Sequence, residues 1–110
     1  MNAAVPRIYI LATLKVRPGK MVEFCAAMAR TIAIMEKNGW RLEGAWGHMV
    51  GRLNTVVDLW SVPEANSVPL GFAALMQSLD FPSLSQALAD TVEDEVLQLM
   101  TRMPYDPGRI

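Results

Sequence analysis

The sequence predicts one small α+β domain over residues 1–110, with the element order β-α-β-β-α-β. Two observations carry this prediction: a helical repeat of apolar residues follows the first β-rich segment, and two further β-rich segments are joined by a short turn. A chain of 110 residues can bury one hydrophobic core. We expect that core in residues 7–103, and a tail in residues 104–110, which contain two prolines and a glycine.

Two different periods predict the first strand and the first helix. Residues 7–16 alternate between a strongly apolar face and a mixed face, as a strand does. After Pro18 and Gly19, apolar residues recur at helical spacing as far as Asn38. This apolar stripe consists of Met21, Phe24, Cys25, Met28, Ile32 and Met35, and we expect Cys25 to be buried in it.

Residues 40–50 and 53–62 predict an antiparallel hairpin that turns at Gly51 and Arg52. A two-residue turn sets the register, so that residue 45 faces residue 58 and residue 48 faces residue 55. The glycines in the first of these strands indicate a bulge or a close approach of another group.

The last part of the chain predicts two helical segments and a strand. Pro69 starts the main helix, Asp80 precedes a short helix that runs to Ala89, and residues 91–103 form the last strand. This order fits a ferredoxin-like split βαβ unit, with the helices on one face of a four-stranded antiparallel sheet. Several strands are apolar on both faces, so we expect a homodimer to cover the other face.

Composition and charge argue against several classes of partner. The formal net charge is −1, and no cluster of Lys and Arg marks a surface for nucleic acid or anionic lipid. The apolar run over residues 8–14 is too short to span a membrane and makes a poor secretory signal. A single cysteine excludes an internal disulfide and a cysteine-rich zinc site, and a cytoplasmic location is predicted.

His48 and Asp58 are the candidate catalytic residues. His48 is the only histidine, and its near-neutral pKa range suits a proton carrier. In the predicted register, however, His48 and Asp58 lie on opposite faces of the hairpin, and only a bulge at Gly47 would bring them together. An exposed histidine without a function is the competing interpretation.

Candidate ligand-binding residues are Tyr9, Trp46 and Trp60. The two tryptophans lie on opposite faces of the hairpin, and either face could line an apolar pocket. The acidic run at residues 93–95 is interpreted as the solvated start of a strand, because its side chains alternate and cannot converge on a cation. We predict no metal and no cofactor.

Three stretches resemble the NIPSNAP-type domains: residues 17–24 (RPGKMVEF), 39–46 (GWRLEGAW) and 51–60 (GRLNTVVDLW). The resemblance covers residues 8–103 and implies a dimeric α+β barrel, in which two four-stranded sheets face each other. NIPSNAP-type domains often carry a histidine where Asp58 stands, and polar residues where Ile10, Ala12 and Leu14 stand. Those differences imply a more apolar cavity in this chain.

The resemblance implies more about fold than about chemistry. The broad superfamily includes cofactor-independent monooxygenases and polyketide cyclases. The leading hypothesis is a homodimer that binds an apolar or aromatic small molecule and catalyses cofactor-independent proton transfer, cyclisation or oxygenation. The alternatives are a non-catalytic module for protein interaction or assembly and a haem-binding protein that uses His48.

Overall fold

The structure, a computed structural model, describes residues 7–110. Residues 1–6 of the predicted domain lie outside this range. The strands and helices follow the predicted order, and the short helix predicted before the last strand is present as a third helix. They are β1 (Ile8–Val16), α1 (Met21–Glu36), β2 (Arg41–Gly47), β3 (Thr55–Val62), α2 (Ser67–Gln77), α3 (Phe81–Thr91) and β4 (Val92–Met100).

The four strands form one antiparallel sheet in the order β2-β3-β1-β4. This is the strand order of the predicted ferredoxin-like unit. It makes β1 a central strand, with β3 on one side and β4 on the other, although β4 comes last in the sequence. Residues of β3 and β4 are therefore brought together across β1.

The β2–β3 hairpin has the predicted register but a longer turn. Ala45 pairs with Asp58, and the backbone N–H of His48 donates to Thr55, as the sequence predicts. The strands stop earlier because residues 48–54 form a loop in which Gly51 has a φ of 119°. The bulge lies between Leu42 and Gly44, not at Gly47.

The helices differ from the sequence interpretation mainly at their ends. α2 begins at Ser67, so Pro69 lies in its first turn, where its missing N–H costs no helical hydrogen bond. α3 extends past Ala89 to Thr91. Gly39 takes a φ of 93° just after α1, in agreement with the predicted C-terminal stop.

The prediction for Cys25 is wrong, because this residue is exposed. Ala27 and Thr31 are buried on α1 instead, on the side where α3 packs. Thr31 can be buried because its hydroxyl donates to the carbonyl of Ala27, at 3.0 Å. The approach of α3 is a long-range contact that the periodicity of α1 alone does not reveal.

The core lies between the helices and one face of the sheet and consists of two clusters. One cluster surrounds Trp40 and Trp60, whose rings meet edge to face at 5.5 Å. The other surrounds Phe24, beside Leu14 and Val16 of β1. Asp58 lies on the same face of β3 between these clusters, since its neighbours on that face belong to one or the other.

No helix packs on the opposite face of the sheet within residues 7–110. Trp46, Val96 and Met100 are 50%, 49% and 37% exposed on that face. Part of it is covered by the segment after β4, where the guanidinium of Arg102 lies 4.6 Å from the centre of the Tyr9 ring. We call this surface the open face.

In the described part of the chain, no helix is long and apolar enough to cross a bilayer. The cytoplasmic location stays a prediction.

We expect Gly71→Ala to destabilise the fold, although alanine normally favours a helix by about 1 kcal/mol over glycine. A Cβ at this position in α2 would overlap with the indole Nε1 of Trp40. That indole cannot move freely, because it donates to the carbonyl of Ser67 at 2.9 Å. Overpacking of this kind costs about 1–3 kcal/mol, so urea unfolding should show a net loss of stability.

Gly47→Ala is the matched control, because a Cβ there would meet no atom within 4 Å. Its effect should stay within about 0.5 kcal/mol of the wild type. Equal unfolding midpoints for the wild type and Gly71→Ala would contradict this close packing.

Candidate functional site

The structure separates the candidate residues between the two faces of the sheet. Asp58 and Trp60 lie on the helix side, beside Ala12 and Ile10 of β1. His48 is exposed in the hairpin loop after β2, where its backbone N–H donates to the carbonyl of Thr55. Within one chain, therefore, His48 and Asp58 do not meet, and a direct pair between them is not formed.

Asp58 is 3% exposed and has no hydrogen-bond partner in residues 7–110. Every fully sealed side-chain nitrogen or oxygen in that part of the chain does have a partner. The carboxylate oxygens of Asp58 must therefore reach open space. That space is a cavity, because Asp58 is part of the walls of two neighbouring voids on the helix side.

The first void, of about 150 Å³, lies under the three helices. We call it the inner cavity. Its wall is aromatic at one end, where Trp40 packs edge to face on both Trp60 and Phe72. The complete wall consists of Ala12, Leu14, Met28, Thr31, Met35, Trp40, Asp58, Trp60, Phe72, Leu75, Leu88, Val92, Glu95 and Leu97.

The second void, of about 460 Å³, is a more open groove between α1 and β2. It shares Asp58 and Met28 with the inner cavity, and its other walls include Phe24, Cys25 and Trp46. Asp58 thus lies where the groove and the inner cavity meet. An apolar molecule could reach this carboxyl group from either side.

Glu95 is a second carboxylate in the wall of the inner cavity, and sequence reasoning missed it. Leu14 of β1 pairs with Val56 on one side and Glu95 on the other, so Glu95 shares the helix side with Asp58. The solvated start of a strand that the sequence predicts fits Glu93, an exposed partner of Lys15 at 3.6 Å, and Asp94, which is exposed on the open face; Glu95 instead contributes to the cavity wall. Alternation from Leu97 was the signal that could have placed Glu95 on the helix side.

Glu95 and Asp58 occupy different depths. Glu95 lies on the edge strand and keeps much of its surface exposed, as does Leu97, which is 42% exposed. We therefore place the opening of the inner cavity at β4, with Glu95 at the opening and Asp58 inside.

Burial, and to a smaller extent the nearby negative charge of Glu95, raises the pKa of Asp58 from 3.8 to about 6. Burial also raises the pKa of Glu95. Within residues 7–110, no basic side chain contributes to the wall of either void, so neither shift is offset by an opposite charge there. Asp58 can therefore exchange a proton near neutral pH.

Tyr9 lies on the open face, away from Asp58. Its hydroxyl accepts a hydrogen bond of 3.0 Å from Nε of Arg102, which also pairs with Asp106. Tyr9 lines a shallow void of about 310 Å³ formed with the segment after β4. The predicted ligand-binding residues are thus distributed over three surfaces, and only Trp60 shares the inner cavity with Asp58.

We expect Asp58→Asn to become more stable relative to the wild type as the pH rises from 3.8 to above 6. The raised pKa means that the folded chain favours the protonated carboxyl, so the wild type loses stability as the pH rises through this interval. The shift corresponds to about 3 kcal/mol at most. Urea unfolding of both proteins at a series of pH values measures the difference.

Asp80→Asn provides a control of opposite sign. The hydrogen bond from Arg30 lowers the pKa of Asp80, so that pair stabilises the fold at neutral pH and is lost in acid. Asp80→Asn should therefore lose stability relative to the wild type as the pH rises. A pH-independent difference between Asp58→Asn and the wild type would contradict the raised pKa.

The fold has close counterparts among solved structures. A NIPSNAP family protein of unknown function from Agrobacterium tumefaciens superposes with a TM-score of 0.81 at 18% identity, over 96% of each chain. A second NIPSNAP family protein from that organism gives a TM-score of 0.82 at 17% identity, over 99% of this chain and 96% of the other. These likenesses confirm the predicted fold.

The same fold occurs in an enzyme. SnoaB, a cofactor-independent oxygenase from Streptomyces nogalater, superposes with a TM-score of 0.72 at 16% identity, over 93% of this chain and 98% of SnoaB. Among curated proteins no sequence match was found. A sequence model of the NIPSNAP family, in contrast, matches residues 9–107, nearly the whole chain, and confirms the resemblance seen in the sequence. The chain belongs to the NIPSNAP family.

Proposed function

We propose that this protein binds a small apolar or aromatic molecule in the inner cavity and moves a proton on it with Asp58. The observation that carries this proposal is a deeply buried carboxyl group with no partner in residues 7–110, facing an aromatic-walled void. An unpaired buried carboxyl weakens a fold. Its presence is therefore better explained by a bound partner than by stability.

The chemistry follows from the environment of Asp58. With a pKa of about 6, the group is mostly ionised at neutral pH, yet its burial also tolerates the protonated form. The carboxylate takes a proton from an O–H or an acidic C–H of the ligand, and the bonding electrons stay on the ligand. The resulting anion can be reprotonated elsewhere, close a ring, or react with dioxygen as the oxidant.

Two observations support this reading over a purely structural role. SnoaB, which shares the fold, is a cofactor-independent oxygenase, so the architecture is compatible with such chemistry. The walls around Asp58 are also mostly apolar, and a hydrogen bond to a carboxylate is stronger in such surroundings than in water. The proposal assigns no role to His48, which is exposed in the hairpin loop and does not contribute to the wall of either void.

The proposed assembly is a homodimer through the open face. Apolar side chains on all four strands are exposed or half-buried there, among them Trp46, Val57 and Val96. Covering about 400 Å² of apolar surface per subunit contributes on the order of 10 kcal/mol before the cost of association. A second copy of the chain supplies a surface of the same size and character.

We expect 2-naphthol, indole or 4-phenylphenol to raise the thermal midpoint of the wild type, and Asp58→Asn to lose most of that shift. The O–H of the two phenols, or the N–H of indole, would donate a hydrogen bond to the Asp58 carboxylate. The neutral amide of asparagine is a poorer acceptor for this bond. Thermal unfolding with a dilution series of each compound measures the effect.

Two controls separate the site from general effects. Asp94→Asn removes an exposed carboxylate of β4 on the open face, and His48→Ala removes the loop imidazole, so both should respond like the wild type. If none of the compounds shifts the midpoint, or if Asp58→Asn responds as fully as the wild type, the proposed function is wrong. A module for assembly alone is then the better interpretation.

We expect the wild type to sediment as a dimer at micromolar concentration and Val96→Lys to sediment as a monomer. Val96 is 49% exposed on the open face, so a lysine can be accommodated in one chain but not in an apolar interface. Val22→Lys, at an 81% exposed position of α1, should stay dimeric. A folded wild-type monomer would remove the basis for this assembly.

A further inference from the structure

The wall of the inner cavity offers more hydrogen-bond acceptors than free donors. Two carboxylates, Asp58 and Glu95, supply hydrogen-bond acceptors and negative charge, and no Lys, Arg or His in the described part of the chain contributes to the wall. Most of the donors there are occupied. The Thr31 hydroxyl donates to Ala27, and the indole of Trp40 donates to Ser67.

This imbalance limits which ligands the cavity can hold. An anionic ligand would add a buried negative charge beside two carboxylates with no cation to offset it. A neutral ligand could donate one hydrogen bond and leave the second carboxylate unpaired. A cationic donor, in contrast, would pair with both groups.

The aromatic wall favours the same class of ligand. Trp60 lies next to Asp58 on the helix side of β3, and its ring is held edge to face against Trp40. A cation held at Asp58 would lie near this indole, which attracts positive charge through its ring face. The remainder of the wall is apolar and suits the body of the ligand rather than its polar end.

We propose that the inner cavity is specific for an apolar aromatic amine, bound as the ammonium ion between Asp58 and Glu95, and that it rejects carboxylates of the same shape. Both carboxylates accept hydrogen bonds from the ammonium group, Glu95 at the opening and Asp58 inside the cavity. This inference rests on the proposed function, since it names the ligand class of that site. It adds Glu95 as a residue that determines specificity.

Three probes with one ring system test it: 1-naphthylmethylamine, 1-naphthylmethanol and 1-naphthoate. Isothermal titration calorimetry of the wild type at pH 7.5 should give an affinity for the amine at least about tenfold higher than for the alcohol. The carboxylate should give no saturable binding. Only the charge and donor capacity differ among these probes, so ring burial cancels in the comparison.

Glu95→Gln should reduce the affinity for the amine several-fold and leave the affinity for the alcohol unchanged. A merely structural role of Glu95 would instead alter both affinities together. Glu93→Gln is the matched control, because Glu93 is two residues away, exposed and paired with Lys15. It should bind all three probes like the wild type.

The outcomes distinguish this inference from the proposed function. If the alcohol or the carboxylate binds as tightly as the amine, and binding is lost in Asp58→Asn, the amine specificity is wrong while the proposed function stands. An unchanged amine affinity in Glu95→Gln overturns the role of Glu95. If none of the three probes binds, the amine specificity is wrong, and the thermal shifts with 2-naphthol, indole and 4-phenylphenol decide on the proposed function separately.

Discussion

The feature on which the site depends is one carboxyl group, Asp58, that the sheet places on its buried face with no hydrogen-bond partner among residues 7–110. Side chains alternate along β3, so the residue between Val57 and Leu59 must point towards the helices. Ala12 lies directly opposite on β1 and is small enough to leave space beside the carboxyl. The hydrophobic core is therefore divided at this point, and the division is the inner cavity.

The same constraint explains why two carboxylates share one cavity although 37 positions separate them in the sequence. Because β1 is central, its helix-side residues border β3 on one side and β4 on the other. Asp58 on β3 and Glu95 on β4 both lie on this side and therefore border the same void. Burial then raises the pKa of both groups, and their mutual repulsion favours a bound cation or a shared proton.

The sequence was sufficient to predict the fold, and it identified Asp58 but not Glu95 as a candidate site residue. Local patterns predicted the elements, and counting from the Gly51 turn correctly placed Ala45 opposite Asp58 in the hairpin. Glu95 was missed because its position depends on the long-range pairing of β4 with β1, and on a register shift next to Val16. The burial of Ala27 and the exposure of Cys25 on α1 were likewise not predicted from the helical spacing of apolar residues.

The two faces of the sheet carry different chemistry, and this separates ligand binding from assembly. On the helix side, the carboxylates of Asp58 and Glu95 have no hydrogen-bond partner in residues 7–110. On the open face, in contrast, Glu43 accepts hydrogen bonds from Arg41 and from Ser61, at 3.0 Å for the serine. Burial tends to raise the pKa of Glu43, but these hydrogen bonds outweigh it and lower the pKa. A second copy on the open face would thus meet polar groups that are already satisfied, while each chain would keep its own cavity, built entirely from its own residues.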